Sequence, residues 1–446
     1  MMDTNDLRKL LAFRRELYNC FQQRRDALFD LADAALTAGR IPSLAHLSLE
    51  DVHRRGWGSL YAALANGSLD SKALRSLLSR HPLHDGHDIY ALDVTVWPRC
   101  DAVTSPDRAY YYHPSRHLSG KPIVAGWAYQ LVAQLNLARD SWTAPMDVRR
   151  LRPNDDVNTD AVEQIKAFID RRPSTAGLPL FVYDAGYDPV KLSQGLEGLP
   201  VAILVRLRSD RCFYADPPPA AGKPKGRPRR HGAKFRCKDP ATWPTPTAEY
   251  GTEDGQYGTV RVRAWAGLHA KVQNHATRGK RQPRPIVRGT LILVEVSRLP
   301  GRTHKPEPLW LWWYGPGTPD LTLVWQAYIR RFDLEHTIRF FKQTLNWVLP
   351  RLRSPEQADL WTWLLLAAYT QLRLARGHVA DQRLPWEREL PSAKITPGRV
   401  RRAFLALLVT LGTPANAPKC CGKSPGRPKG RRSQPAARHS VRKNAA

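Results

Sequence analysis

The sequence predicts an α/β fold in which a strand-rich core follows a helical region. Helical periodicity fills residues 4–80, and an alternation of apolar and polar side chains replaces it from residue 88. The segments that follow, up to residue 208, are predicted in the order β-β-β-α-β-α-β. At 446 residues, of which 42% are hydrophobic, the chain is long enough for two or three domains with buried cores.

Residues 1–87 are predicted to form an N-terminal helical region. One helical pattern runs from Leu7 to about Ala38, a second covers residues 49–64, and a third covers residues 70–80 with Asp70 as its N-cap. The first residues lack the continuous apolar stretch of a signal peptide, and the longest apolar runs of the chain are too short to span a bilayer. The six cysteines have no paired CxxC spacing. We therefore expect a cytoplasmic protein with reduced thiols and no membrane partner.

The remaining elements define three further regions. Strands are predicted at residues 88–97, 126–135, 141–151, 178–188 and 201–208, with helices at 159–172 and 190–198. Beyond a Pro-, Gly- and Arg-rich stretch with one strand-like run at 258–266, strands at 290–299 and 309–315 precede helices at 328–347, 358–375 and 399–411. We expect a core formed by residues 88–208 and 290–377, interrupted by a basic insertion at 209–289. A C-terminal helix and a basic, disordered tail occupy residues 378–446.

The net charge of the chain is strongly positive and localised. Lys and Arg number 69 against 40 Asp and Glu, which gives a formal charge of +29. Residues 223–238, 261–288 and 415–446 contain eight, eight and nine Lys or Arg residues and no acid. Such an excess predicts a polyanionic partner, and double-stranded DNA is the partner that we expect.

Two of these basic stretches share a Gly-Arg-Pro sequence, KGRPRR (225–230) and PGRPKGRR (425–432). This pattern resembles the AT-hook, an extended arm whose arginines lie in the narrow minor groove of A·T-rich DNA. On this hypothesis Arg227, Arg229, Arg230 and Arg427 bind DNA. The alternative interpretation is a solvated basic linker without a specific ligand.

Residues 328–347 (YIRRFDLEHTIRFFKQTLNW) are predicted to form one helix with a polar stripe between two apolar flanks. On a helical wheel the stripe spans roughly 80°. It contains Tyr328, Arg331, Glu335, Arg339, Lys342 and Asn346. Leu334, Ile338, Phe341 and Leu345 form one flank, and Ile329 and Phe340 form the other. A single carboxylate among cations is compatible with ion pairs at helical spacing or with a bound ligand.

Three carboxylates stand out by their positions. Asp93 lies within a strand, Asp184 follows a buried strand at its carboxyl end, and Glu335 lies in the polar stripe. Each has an ordinary structural explanation, in a turn, as the cap of a turn at Gly186, or in a helical ion pair. If the three converge, their mutual repulsion is best relieved by divalent cations. Mg²⁺ prefers carboxylate oxygens, and two Mg²⁺ ions, or Mn²⁺, would serve a phosphoryl displacement.

Tyr328, Arg331, Glu335 and Lys342 match the signature Y-x2-R-x3-E-x6-K. Together with ALDVTVWPRCDAVTSPDR around Asp93, FVYDAGYD around Asp184 and WQAYIRRFDLEHTIRFFKQTL, this signature resembles bacterial insertion-sequence transposases with a DDE triad, of a type common in actinobacteria. The resemblance covers about residues 45–430.

The resemblance implies a ribonuclease-H-like core in which Asp93, Asp184 and Glu335 are the catalytic, metal-binding triad. Tyr328, Arg331 and Lys342 match the family's contacts with phosphates and DNA ends. Arg339 lies on the same arc outside the signature and is a candidate phosphate contact. In this family an insertion of mainly β-strands lies between the second Asp and the Glu, where residues 209–289 occur.

The function that we expect is therefore DNA transposition. Such an enzyme, located at the nucleoid, would bind the terminal inverted repeats of its element as a homo-oligomer, cleave the element ends and join the freed 3′-OH to target DNA. One alternative is another ribonuclease-H-like nuclease, such as a resolvase or a domesticated recombinase. A second is a non-catalytic AT-hook DNA-binding protein.

Overall fold

The computed structural model describes most of the chain. The residues outside the description are 1–3, 40, 42, 84–86, 114–121, 139, 173–176, 220–228, 272–274, 278–279, 283–285, 302, 305, 420–425, 427, 431, 433 and 443–446. The chain divides into two compact units. The first unit comprises residues 1–86, 93–155 and 333–446, and the second comprises residues 87–92 and 156–332.

Helices and strands alternate along the described chain. The α-helices of the described residues are α1 (Thr4–Cys20), α2 (Arg25–Thr37), α3 (Leu44–Leu47), α4 (Trp57–Asn66), α5 (Ser71–Ser79), α6 (Val157–Ile169), α7 (Pro189–Gly195), α8 (Leu321–Arg330), α9 (Phe332–Gln343), α10 (Pro355–Ala375) and α11 (Pro397–Leu411). The strands are β1 (Phe21–Gln23), β2 (Ser68–Leu69), β3 (Ile89–Pro98), β4 (Ala109–Tyr112), β5 (Ile123–Gln134), β6 (Ala144–Leu151), β7 (Leu180–Tyr183), β8 (Ala202–Leu207), β9 (Cys212–Tyr214), β10 (Lys234–Arg236), β11 (Ala248–Asp254), β12 (Gly258–Ala270), β13 (His275–Thr277), β14 (Lys280–Gln282), β15 (Arg288–Val296) and β16 (Leu309–Tyr314).

The first predicted helix is two helices in the structure. Strand β1 separates α1 from α2 and pairs antiparallel with β2. Arg24, which precedes α2, has a left-handed backbone with φ 54°. The prediction of one helix over residues 7–38 is therefore wrong, because a pairing with a distant segment overrides the local helical periodicity.

Of the helices predicted at 49–64 and 70–80, only the second begins where it was predicted. The first begins only at Trp57, after an extended N-cap at Gly56, and the short helix α3 precedes it. The second is confirmed as α5, and the carboxylate of Asp70 accepts the backbone N–H groups of Lys72 and Ala73 at 3.0 Å each. A side-chain cap of this kind satisfies donors that have no partner inside the helix.

The sheet of the first unit is built around the long strand β5. Strand β5 pairs antiparallel with β4 and β6 and neighbours β3. Gly126 permits the close approach of β5 to β3, since a Cβ at this position would lie 2.2 Å from the carbonyl oxygen of Trp97.

Helix α10 is the centre of the helical layer of this unit and packs against α1, α2, α11 and β6. Nearly all its side chains between Leu360 and Leu372 are buried. The buried guanidinium of Arg14 joins three of these helices, because on α1 it forms an ion pair with Asp33 on α2 at 2.7 Å and donates to Gln371 Oε1 on α10 at 2.6 Å. The helix therefore supports both the N-terminal helices and the sheet.

The second unit contains a sheet that begins with parallel pairing. Residues 89–91 of β3 pair parallel with residues 180–182 of β7, and β7 pairs parallel with β8. Strands β16, β15 and β12 follow in antiparallel order after β8, with β11 and β9 on β12 and β10 on β9. The continuous apolar runs of β7 and β8 are buried, as parallel strands require.

The region predicted as a basic insertion is rich in strands. Its aromatic side chains pack around Trp310 of β16, which lies outside the predicted insertion: between ring centroids, Trp310 is 5.2 Å from Trp243 and 5.8 Å from both Trp265 and Phe235. Strand β12 pairs with β15 across the predicted boundary at residue 289. The division into core and insertion stays a prediction.

The α/β class is confirmed by this mixed arrangement of sheets and helices. The ribonuclease-H-like topology stays a prediction. Over the residues that the structure describes, no helix has the length and apolar character needed to cross a bilayer.

Candidate functional site

The polar stripe predicted for residues 328–347 lies on two helices. Helix α8 ends at Arg330, α9 begins at Phe332, and the N–H of Arg331 is shared between the carbonyl groups of Ala327 and Tyr328 at 3.2 Å each. Shared bonds of this type are common at helix termini. Asn346 lies beyond the end of α9 and has φ 50°. The prediction of one continuous helix is therefore wrong, and Asn346 does not belong to the stripe.

Helix α9 lies in the first unit from Asp333 onward and keeps the predicted apolar flank. Leu334, Ile338 and Phe341 are 0%, 8% and 0% exposed. On the neighbouring face Arg339 is exposed, and Glu335 and Lys342 are half-buried. Glu335 lies about two helical turns, or roughly 10 Å, before Lys342 along the same face. The cationic part of the stripe within α9 is thus accessible to a ligand.

Aromatic packing holds the end of α9 against the sheet of the first unit. Trp347 lies 6.3 Å from both Trp97 on β3 and Phe341 on α9 between ring centroids. Its indole N–H donates to Thr362 Oγ1 at 2.8 Å, and its carbonyl accepts the indole N–H of Trp361 at 3.0 Å. Trp347 is fully buried, so that its hydrogen bonds hold the end of α9 on α10 and its ring packs against Trp97 of β3.

Asp93 lies on the same face of β3 as Thr95 and Trp97, which are 6% and 0% exposed. The predicted strand is confirmed, but the alternation of apolar and polar residues did not identify its buried face, because Val94 and Val96 on the opposite face are only half-buried. The carboxylate itself is half-buried, and Oδ1 accepts the N–H of Val94 at 2.8 Å. Its other surroundings include Lys342.

Lys342 and Asp93 interact electrostatically within the first unit. Burial lowers the pKa of Lys342, and the negative charge of Asp93 opposes that effect without cancelling it. A partly desolvated ammonium group thus lies near the first predicted catalytic acid. The structure brings these two predicted residues together.

Asp184 belongs to the second unit and follows β7 directly. Its Oδ1 accepts the N–H of Gly186 at 2.9 Å, which is the turn anticipated as its structural explanation. Asp188, four residues later, caps α7 by accepting the N–H groups of Val190 and Lys191 at 2.9 and 3.1 Å. Asp184 is half-buried and, unlike Asp188, is not committed to capping a helix.

Tyr328 and Arg331 lie in the second unit and are 3% exposed each. Burial raises the pKa of Tyr328, and the guanidinium groups of Arg331 and Arg206 oppose this rise. The Arg331 guanidinium lies 5.7 Å from the ring centroid of Tyr328 and 4.9 Å from that of Phe332. Direct contacts of Tyr328 and Arg331 with DNA stay a prediction.

Arg206 was missed by the sequence analysis. It is the exposed residue of β8, whose other side chains are buried. The available signal was a single charge near the end of the apolar run VAILVRL.

Comparison with known proteins decides the family. The model for the DDE superfamily endonuclease matches residues 16–271, more than half of the chain. The chain belongs to the DDE superfamily endonuclease family. The match includes Asp93 and Asp184 and ends before Glu335, so that the role of Glu335 stays a prediction from the Y-x2-R-x3-E-x6-K signature. No curated protein matches the chain.

DDE superfamily endonucleases typically use divalent metal ions. Asp93, Asp184 and Glu335 are half-buried and carry carboxylate oxygens, which are the type of donor that such ions prefer. Across the described parts of both units, no group of three or more His, Cys, Asp or Glu side chains is arranged to hold a metal ion. The assignment of these three residues as ligands stays a prediction.

The AT-hook-like residues of this DDE superfamily endonuclease are only partly described. Arg229 is exposed and Arg230 is half-buried. Arg227 and Arg427 lie outside the described residues. The hypothesis that these arginines bind the minor groove stays a prediction.

Proposed function

We propose that the protein is the DNA transposase of an insertion sequence. It binds the terminal inverted repeats of its element, cleaves the element ends and joins each 3′-OH to target DNA. The observation that carries the proposal is the arrangement in the first unit, where Asp93 interacts with Lys342 and Glu335 shares the accessible face of α9. In a member of the DDE superfamily endonucleases, an acid on β3 beside a cationic helix face is suited to a phosphodiester substrate.

The proposed catalytic residues are Asp93, Asp184 and Glu335, which would hold two Mg²⁺ ions, with Mn²⁺ as a substitute. In the parallel pairing of β3 with β7, the last paired residues are Ala91 and Val182. Asp93 lies two residues after Ala91, and Asp184 lies two residues after Val182. When bound, two such ions polarise the scissile phosphate and lower the pKa of the attacking water. The carboxylates contribute the hard oxygen donors that these ions require.

The reaction is two successive displacements at phosphorus. Water attacks the phosphorus atom at the element end and the bond to the 3′ oxygen breaks, which leaves a 3′-OH and a 5′-phosphate. The 3′-OH then attacks a phosphodiester of the target and displaces its 3′ oxygen. In both steps the protein mainly orients the reacting groups and stabilises negative charge.

Basic side chains near the acids would hold the DNA backbone. Lys342 and Arg339 offer cations on α9, and Arg206 offers an exposed guanidinium on β8 in the second unit. With Tyr328 and Arg331 they form the proposed set of contacts to the DNA ends. The AT-hook-like arginines 227, 229, 230 and 427 would add contacts in the minor groove, which suits a net charge of +29. We propose that two or more copies act together on the DNA, in the cytoplasm at the nucleoid.

The experiment uses the full chain, Mg²⁺ and a duplex carrying the inverted repeats that flank the gene. Asp93→Asn, Asp184→Asn and Glu335→Gln should each lower the rate of end cleavage by at least about 10³-fold, because one metal ligand is lost. Asp188→Asn is the matched control: asparagine still caps a helix, and cleavage should be unchanged.

The same reactions separate the alternatives. Strand transfer of the cleaved end into a second duplex supports a transposase, whereas cleavage without transfer supports another nuclease. Unchanged cleavage by Asp93→Asn would overturn the catalytic assignment, and a wild-type chain that binds the duplex without cleaving it would favour a non-catalytic DNA-binding protein.

A further inference from the structure

A short segment from the C-terminal region of the chain lies along the outer edge of strand β4. Strand β4 pairs with β5 on one side, and Arg442 forms a parallel bridge with Ala109 at the other side. The N–H of His439 donates to the carbonyl oxygen of Val103 at 2.8 Å, and the N–H of Arg442 donates to that of Arg108 at 2.9 Å. An open strand edge is a template for this kind of pairing.

Arg108 makes the edge a built docking site. The residue is 2% exposed, and its guanidinium donates to the carbonyl oxygens of Ser105 at 3.0 Å and Arg99 at 3.1 Å. The remaining donor, Nη2, reaches the carbonyl oxygen of His439 at 2.9 Å. Leaving a buried guanidinium without one of its hydrogen-bond acceptors costs free energy. The site therefore favours an extended peptide that places a carbonyl oxygen beside Nη2 of Arg108.

The docked segment is held through its main chain. The side chains of residues 438–440 and of Arg442 are exposed, and that of Val441 is half-buried. Each of the three hydrogen bonds contributes only about 1 kcal/mol in water. Docking is therefore reversible, and its contacts are the same whichever copy of the chain supplies the segment.

Apolar side chains on β4 and β5 stay exposed in a single chain. Tyr110 and Tyr112 on β4 are 47% and 71% exposed, and Ile123, which pairs with Tyr112 across the strands, is 56% exposed. Neighbouring exposed aromatic and β-branched residues are typical of a surface that another protein covers. A second copy bound at this edge would remove them from water.

The chain that leads to the docked segment is long enough to reach a second copy. Asn416 is fixed to the N-terminal helices, because its N–H donates to Asp26 at 3.0 Å and its carbonyl accepts from Arg55 at 2.6 Å. Twenty-two residues separate Asn416 from His439. Fully extended, a connection of this length spans roughly 75 Å.

We propose that the edge of β4, with Val103 and Arg108, is a docking site for residues 438–442 and that the segment of one copy occupies this site in a second copy. The exchanged segment makes the same contacts in either copy, and the exposed aromatic residues of β4 add further contacts between the two copies. This proposal does not depend on the catalytic assignment.

The test uses full-length chains and peptides of residues 436–446. Proline at position 439 removes the N–H that donates to Val103, whereas alanine at that position removes only an exposed side chain. The wild-type and His439→Ala peptides should bind the full-length His439→Pro chain equally, measured by fluorescence anisotropy. The His439→Pro peptide should bind at least about fivefold more weakly.

Sedimentation velocity of the full chains without DNA tests the exchange itself. The wild-type and His439→Ala chains should form dimers with increasing concentration, and the His439→Pro chain should dimerise at least about fivefold more weakly. A wild-type chain that sediments as one copy at every concentration would overturn the exchange. Equal binding of the proline and alanine peptides would overturn the docking site.

Discussion

Replacing Lys342 by methionine should make the folded protein more stable while it impairs DNA cleavage. The side chain keeps its length and helix propensity but loses the ammonium group. Burial of that group lowers its pKa from the ordinary value of 10.5, so that the folded chain binds this proton more weakly than the unfolded chain does. The nearby charge of Asp93 reduces the effect but does not reverse its sign.

The magnitude follows from proton linkage. A tenfold weaker proton affinity in the folded state corresponds to about 1.4 kcal/mol of lost stability. Since Lys342 retains some exposure to water, we expect Lys342→Met to raise the free energy of unfolding by about 1 kcal/mol. The difference from the wild type should be full at neutral pH, where lysine is protonated in both states. It should shrink as the pH approaches 10.5, because the unfolded chain then also loses the proton.

The assay is urea denaturation at pH 7 and at higher pH, without metal and DNA, followed by Trp fluorescence. Arg339→Met is the matched control, because Arg339 lies on the same face of α9 and is exposed. The control should change the free energy of unfolding by less than about 0.5 kcal/mol. If Lys342→Met is no more stable than Arg339→Met, or if its advantage grows with pH, the interpretation of the buried ammonium is wrong.

Three further predictions concern packing, capping and DNA affinity. Trp347→Ala should lower the free energy of unfolding by about 3–5 kcal/mol in urea denaturation. It should also reduce cleavage by more than the loss of folded protein explains, since Trp347 joins α9 to β3. Cleavage that falls only in proportion to the folded fraction would contradict this prediction. Asp70→Ala should lower stability by about 1 kcal/mol, because two N–H groups of α5 lose their acceptor; an unchanged urea midpoint would show that the cap contributes nothing. DNA affinity should fall roughly 10⁴-fold between 50 and 200 mM salt if about eight phosphates are neutralised, and an affinity independent of salt would refute the electrostatic basis of binding.

Much of the local structure could be predicted from periodicity. The alternation around Asp93 indicated strand β3, and the apolar flank with Leu334, Ile338 and Phe341 indicated the buried face of α9. The signal of α9 is strong because one face of the helix is buried along its length, whereas β3 is buried on both faces from Ile89 to Leu92 and its alternation did not identify the buried face. The cap at Asp70 was equally predictable, because its carboxylate precedes a clear helical pattern.

Other features depend on contacts that no local pattern encodes. Strand β1 interrupts a helical sequence only because β2 pairs with it from a distant part of the chain. The helix break at Arg331 occurs in a sequence without Gly or Pro, and it puts Tyr328 and Glu335 on different helices. The burial of Tyr328 beside Arg206 was also unpredictable, because these residues are distant in sequence.

The most direct test of the account is Mn²⁺ binding to the full chain without DNA, measured by electron paramagnetic resonance. Saturable binding by the wild type should weaken at least about tenfold in Asp93→Asn, Asp184→Asn and Glu335→Gln, because each removes a proposed oxygen ligand. The Asp188→Asn control should bind as the wild type does, since Asp188 caps α7. Equal Mn²⁺ affinity in all four variants and the wild type would contradict the claim that these three acids share a divalent metal.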